Sequence, residues 1–264
     1  MRARREARQH RWREQAQGYL EHLRAQWGMV SRFWLWGLVI GYALAGLPMS
    51  SFAGMVGFPA AQLPAWHVRL ELAGDSFKEE LTNSGNASAT TGRALLTVSL
   101  APTAWSEVYA RFGTAEFNLD EALFKGGFGL AYGGGLRLRL LTVPVGVFGL
   151  TGQYLRFTSD DDDSAGARVE GEWQEIDVAL GFGTKRFGAF AFYVGGVFHR
   201  SELTLDTQGT GARDKFESEI PVRLLLGVHV FPLLDIPSGK FLVNVETRLI
   251  GETPQFTLGV QYAF

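Results

Sequence analysis

The residues best suited to chemistry are His199 and Ser201, followed one hairpin later by Glu217 and Glu219. A hydroxyl, an imidazole and a carboxylate in mutual reach supply a nucleophile, a base and an orienting group. No nucleophile elbow surrounds Ser201, and residues two apart in an extended chain share a face by default. The plainer reading is two polar side chains on one side of a strand, with no enzyme activity. The run Asp160, Asp161, Asp162, Asp163 offers hard oxygen ligands of the kind Ca²⁺ or Mg²⁺ takes. It lacks the Asp-x-Asp-x-Asp-Gly spacing of a calcium loop, and such a run is usually a solvated loop tip. Arg156 and Arg200 carry the planar fork that matches phosphate. No metal and no cofactor is expected. With no cysteine among 264 residues there is no disulfide, no thiolate ligand and no cysteine nucleophile.

The elements that must hold these residues read as strands. Between Phe124 and Asp160, residues Phe128, Leu130, Tyr132, Leu136, Leu138 and Leu140 share one parity, while Gly129, Gly133, Gly135, Arg137 and Arg139 share the other. A period of two places these sets on opposite faces of a strand. After Thr142-Val143-Pro144 a second strand returns, closing a long hairpin with one apolar and one polar or small face. The same alternation predicts ten strands, near 66–74, 92–101, 104–113, 127–141, 145–158, 172–183, 187–203, 215–231, 240–250 and 255–264. No helical period of useful length follows Ala61. The connections after even strands are short, as at Pro102-Thr103. Those after odd strands are mostly long and polar, as at 75–91, 115–126, 159–171 and 205–214. Short turns at one end and long loops at the other describe a closed, antiparallel, up-and-down transmembrane β-barrel of about ten strands.

Alternation alone does not say which face is outside. A soluble lipid-binding barrel would enclose the apolar face. The polar face here is thin and rich in glycine, unlike the dense mixed charge of a water-facing surface, and no helical lid follows the first strand. The polar face is therefore placed inward, with the charge network Arg69, Glu71, Glu107, Arg111, Arg137, Arg139, Glu175, Asp177, Arg223, Glu246 and Arg248 lining the lumen. A barrel of this width is filled by its own side chains, so a polar plug is favoured. A narrow porin-like channel is the sharper reading, because inward glycines at 129, 133, 135, 181, 183, 195, 227 and 259 free volume.

The formal charge of −2 hides an asymmetry. Residues 1–32 carry eight Arg and three Glu, whereas residues 54–264 carry seventeen Lys and Arg against twenty-four Asp and Glu. The acidic balance argues against nucleic-acid binding. Residues 33–47, FWLWGLVIGYALAGL, are uncharged, and PMSSFAG follows. A basic stretch, an apolar core and small residues form a secretory signal peptide, cut after Ala53 or a few residues on near Ala60-Ala61. The expected organisation is a basic extension and signal peptide over 1–53, with a true start at Met29, a short periplasmic lead over 54–65 and the barrel over 66–264.

The chain ends Phe256-Thr-Leu-Gly-Val-Gln-Tyr-Ala-Phe264. This resembles the C-terminal β-signal of bacterial outer-membrane proteins, with Phe256, Leu258, Val260, Tyr262 and Phe264 as its alternating apolar residues and terminal aromatic. The sequence is similar to small barrels of the porin-like, OmpA-transmembrane-domain and OmpX kind. The resemblance implies an outer-membrane location, recognition of those five residues by the barrel-assembly machinery, and contact with outer-membrane lipid and lipopolysaccharide, the latter at Arg156 and Arg200. A monomer is expected. Ten-stranded omptin proteases carry an Asp-x-His element that this sequence lacks. The alternatives are a lipid-modifying outer-membrane enzyme and a soluble lipid-binding barrel.

Overall fold

The computed structural model describes residues 56–82, 86–120, 124–162, 168–207, 212–218, 221–231, 240–249 and 255–264. The basic extension, the apolar leader and Met29 lie outside the described residues. Strands β1 (Val68–Thr82), β2 (Asn86–Thr103), β3 (Ser106–Leu119), β4 (Phe124–Lys125), β5 (Gly129–Val143), β6 (Gly146–Asp162), β7 (Arg168–Thr184), β8 (Phe190–Thr207), β9 (Ala212–Ser218), β10 (Val222–Val230), β11 (Lys240–Leu249) and β12 (Gln255–Ala263) form one antiparallel sheet. The sheet closes where β1 pairs with β12, from Arg69↔Ala263 to Ser76↔Phe256. β9 and β10 are two parts of one strand, both paired with β8. β4 adds a short pairing to the end of β3. The barrel is therefore a closed ten-stranded up-and-down barrel, as the alternation predicts.

Its strands are longer than expected at the loop end. The stretches read as long polar loops continue β1 to Thr82, β3 to Leu119, β6 to Asp162 and β8 to Thr207. Period two persists there while its polarity reverses. In the lower part of β7, Ile176, Val178 and Leu180 are exposed and Glu175 and Asp177 are buried. Higher on the same strand Gln174, Glu172 and Glu170 face out, while Trp173 is fully buried. β8 switches alike: Phe192, Val194 and Phe198 outward give way to Arg200, Glu202 and Asp206, while Leu203 and Leu205 turn inward. On β1 the change runs from exposed Leu70 and Leu72 to exposed Lys78 and Glu80, with Phe77 and Leu81 buried.

The change falls at a similar level on successive strands, so the barrel has two tiers. The lower tier shows apolar side chains to its surroundings. The upper tier buries them, in a core of Phe77, Leu81, Leu95, Phe117, Leu119, Phe124, Leu155, Phe157, Trp173, Leu203 and Leu205. Apolar surface goes wherever it avoids water. One chain with both arrangements implies hydrocarbon around the lower tier and water around the upper. On β8 the apolar outward row runs from Phe190 to Phe198, nine residues, the length of a tilted transmembrane strand, about 9–11 residues. Exposed Trp66, Trp105, Phe187 and Phe264 ring the turn end, where aromatic girdles sit.

The tiers also differ in strand number. Above Ser76, β1 leaves β12 and pairs with β9, at Leu81↔Ser218 and Thr82↔Glu217. The described parts of β11 and β12 end below this junction. Among the described residues the upper tier thus has eight strand positions, with β4 and the start of β5 sharing one of them. This accounts for the break at Pro221, where the β10 edge pairs with β11 below and β9 with β1 above.

Candidate functional site: the barrel lumen

The lumen is built in three layers. At the turn end, the segment Val56–Leu63 runs inside the barrel. Val56, Phe58, Ala60 and Ala61 are buried there, within the stretch that the sequence reads as a short periplasmic lead. Phe58 lies edge-on to Tyr193 at 5.5 Å and tilted over His229 at 5.3 Å. With Val56 and Ala60 it packs on Ala179, Val197 and Leu225. The backbone of the segment is held by lumen side chains. Val56 N–H and Gly57 N–H donate to the two Glu246 carboxylate oxygens at 2.9 and 2.7 Å. Val56 O accepts from Arg137 at 3.2 Å, Pro59 O from the Thr151 hydroxyl at 3.2 Å, and Ala61 O from Arg139 at 2.8 and 3.1 Å.

The middle layer is an ion-pair network. Glu107 takes both Arg69 and Arg137, the latter at 2.7 Å. The Tyr109 ring lies under the Arg137 and Arg111 guanidiniums at 4.4 and 5.0 Å. Arg111 donates to the Gln153 carbonyl at 2.8 Å, and the Gln153 amide donates to Asp177 at 2.6 Å. Asp177 also receives Arg248 at 3.0 Å and His199 Nδ1 at 2.6 Å. His199 Nε2 faces Glu79 at 2.9 Å, and Glu79 further accepts Ser201 Oγ at 3.1 Å and Arg223 at 2.6 Å. Arg223 reaches Gln255 at 3.0 Å, and Arg93 joins Asp75 and Glu175 at 2.6 Å each. This chain of contacts crosses from β3 to β12. Burying so many charges is tolerable only because each is met by an opposite charge or a dipole. Glu71 is the exception: it is buried, and neither carboxylate oxygen has a hydrogen-bond partner among the described residues.

Every residue of the expected lumen network lies on the inner face. All but Arg139 are buried, and Arg139 is half-buried where it grips Ala61. Three central members, Asp75, Glu79 and Arg93, are absent from the sequence reading. Glu79 sits in a stretch read as loop, though its odd parity matches Arg69 and Glu71. Five inward glycines face filled space. A Cβ on Gly183, Gly181 or Gly149 would overlap Phe58, Pro59 or Ala60 respectively, and one on Gly227 or Gly135 would meet the Tyr193 or Tyr109 ring.

The residues singled out for chemistry are arranged otherwise than chemistry requires. Ser201 donates to Glu79 and not to His199, whose two nitrogens both face carboxylates. Two acceptors call for two donors, the imidazolium form, which is no base. The sequence puts Glu217 one hairpin after His199 and Ser201, in reach of both. Instead it is on the outer surface with Arg200 and Lys215, because the β8–β9 pairing sets it opposite Glu202, an outward position. Glu219 lies outside the described residues. Glu175, Asp177 and His199 bring three ligand atoms within 4.8 Å of one another, but those groups already serve Arg93, Arg248 and Glu79. Asp160, Asp161 and Asp162 are not a loop tip but the end of β6, and Asp163 lies outside the described residues. Asp160 pairs with Arg168, and Asp161 accepts the Lys125 N–H at 2.6 Å. Arg156 and Arg200 face outward just above the apolar belt and pair with Glu172 at 2.8 Å and Glu217 at 3.4 Å. Phe256, Leu258, Val260 and Tyr262 form the outward row of β12, Phe264 follows directly after it, and Phe256 and Phe264 are exposed.

A closed antiparallel barrel that is apolar outside and charged inside over one tier has the architecture of the outer-membrane β-barrel class. No protein-family model and no curated protein matches the chain. Among solved structures it is similar to the outer membrane protease OmpT from Escherichia coli, at 10% identity and a TM-score of 0.43, covering 75% of this chain and 96% of that one. It is also similar to the translocator domain of the autotransporter NalP from Neisseria meningitidis, at 10% identity, TM-score 0.45 and coverage of 77% and 89%. A third is an outer membrane channel from Pseudomonas putida F1, at 10% identity, TM-score 0.37 and coverage of 80% and 99%. At these scores the likenesses carry nothing about activity.

Proposed function

We propose that the protein is a monomeric, non-enzymatic, integral outer-membrane barrel with a closed lumen, serving a structural or surface role. One observation supports this above the others: the interior is occupied along its length, by Val56–Leu63 at the turn end, by the ion-pair network in the middle and by the Trp173 core at the loop end. The turn end faces the periplasm and the upper tier stands outside the cell, with outer-membrane lipid around the belt and the outward row of β12 offered to the barrel-assembly machinery. The channel reading needs a continuous path, and this filling speaks against one. In a planar bilayer the purified protein is expected to show no reproducible open level above leak. A defined, recurring conductance step would overturn the closed reading.

The membrane tier has its own test. Leu180 and Gln174 share the outward face of β7, one in the middle of the apolar belt and one above it. Leu180→Arg is expected to destabilise the folded barrel by about 2–4 kcal/mol, the cost of a cation near the middle of the hydrocarbon. Gln174→Arg should lie within about 0.5 kcal/mol of the parent, as a surface change in water does. Urea unfolding in lipid vesicles measures both. Equal effects at the two positions would remove the lipid from around the lower tier and revive the soluble barrel.

A further inference from the structure

The segment Val56–Leu63 and the barrel wall fit each other in two independent ways. The first is polar. Two consecutive N–H groups of the segment meet one carboxylate, Glu246, and three of its carbonyls meet Arg137, Thr151 and Arg139. Backbone groups taken out of water need partners, and here the partners are side chains of the wall. The second is steric. Gly149 on β6 and Gly181 and Gly183 on β7 lack a side chain at the places where Ala60, Pro59 and Phe58 lie. Gly57 adopts φ +77°, a conformation open to glycine, and passes against the Arg137 guanidinium. A wall with three inward glycines facing successive residues of one peptide is a binding cradle for that peptide.

We propose that the leader is removed on the N-terminal side of Val56, so that Val56–Leu63 remains in the mature protein as a resident ligand of the lumen. The step is hydrolysis of one peptide bond by water, leaving a carboxylate on the leader and an ammonium on the mature chain. A cut at Ala60-Ala61 would discard the residues that Glu246, Arg137 and Thr151 hold. The cleavage rests on the outer-membrane reading; the cradle itself does not.

The test uses full-length precursor expressed with an intact envelope and protein purified from the outer membrane. Heat-modifiable migration on a gel first reports the barrel. Its absence would overturn the membrane reading and the cleavage with it. With the barrel present, intact mass is expected to place the mature N-terminus at or before Val56. A start at Gly57 or later would overturn the inference alone. Occupancy is read with a thiol, since the chain has no cysteine of its own. Ala61→Cys should resist a maleimide polymer in the folded barrel and react fully after unfolding. Glu246→Gln, and separately Gly149→Val, should speed labelling of Ala61→Cys in the folded state by about tenfold or more, because loss of one charge-assisted hydrogen bond shifts an opening equilibrium that far. Should Gly149→Val fail to fold, Glu246→Gln carries the test. Labelling of Ala61→Cys as fast as in the unfolded chain, or unchanged labelling in every variant that folds, would overturn the cradle.

Discussion

Glu79→Ala is expected to lower the stability of the barrel by about 3–5 kcal/mol, the range for removing one partner of a buried ion pair. Glu79 is buried and its carboxylate takes three donors at once, His199, Ser201 and Arg223. Among the described residues its loss leaves the Arg223 cation with Gln255, a neutral partner, and His199 with Asp177. Glu79→Gln should fall between parent and alanine, since the amide oxygen still accepts a hydrogen bond but offers no countercharge. Urea midpoints followed by loss of heat-modifiable migration give the comparison. A change under about 1 kcal/mol for Glu79→Ala, within the range of surface pairs, would show that this network is solvated and not sealed.

Trp173→Ala is expected to cost a similar amount, about 3–5 kcal/mol, from lost burial plus the cavity left behind. The indole stacks on Phe157 at 5.8 Å and lies 6.0 Å from Phe117 and 6.3 Å from Phe77. It is fully buried and central to the upper core. Its Nε1 has no hydrogen-bond partner among the described residues, so Trp173→Phe removes an unmet donor along with volume and should cost much less than alanine. Trp105→Ala at the exposed turn end is the control and should barely change urea stability in detergent. If Trp173→Ala behaves like Trp105→Ala, the upper tier is not a packed core and the closed lumen loses its outer stop.

The strand count, the inward face and most of the lumen charges were legible because a period of two is printed directly in the sequence, as in Leu136, Arg137, Leu138 and Arg139. The upper tier was not. Phe77, Leu81, Phe117, Phe157 and Leu203 keep the period but exchange faces, because the medium outside changes from hydrocarbon to water. Read with a fixed rule of apolar outside, those stretches break the pattern and look like loops. Trp173 is the clearest case: it falls at the very start of the strand predicted over 172–183 and proves to be the middle of a core. Glu79 was missed for the same reason. The lumen segment left a trace in Gly149, Gly181 and Gly183, but glycines facing inward look the same whether they clear a path or admit a peptide. The Ser201–His199 spacing was legible as a shared face. What it could not show was Glu79, which arrives from a strand 120 residues away in sequence.

The double pairing of β1, with β9 above and β12 below, bears on how the ring is put together in time. Every strand of the upper tier precedes residue 219, so a growing or incoming chain already holds all the pieces of the smaller circle before its last hairpin arrives. That hairpin occupies only the lower ring, between β10 and the foot of β1. Residues 240–249 and 255–263 together sit like a keystone, beneath an arch that β1 and β9 bridge.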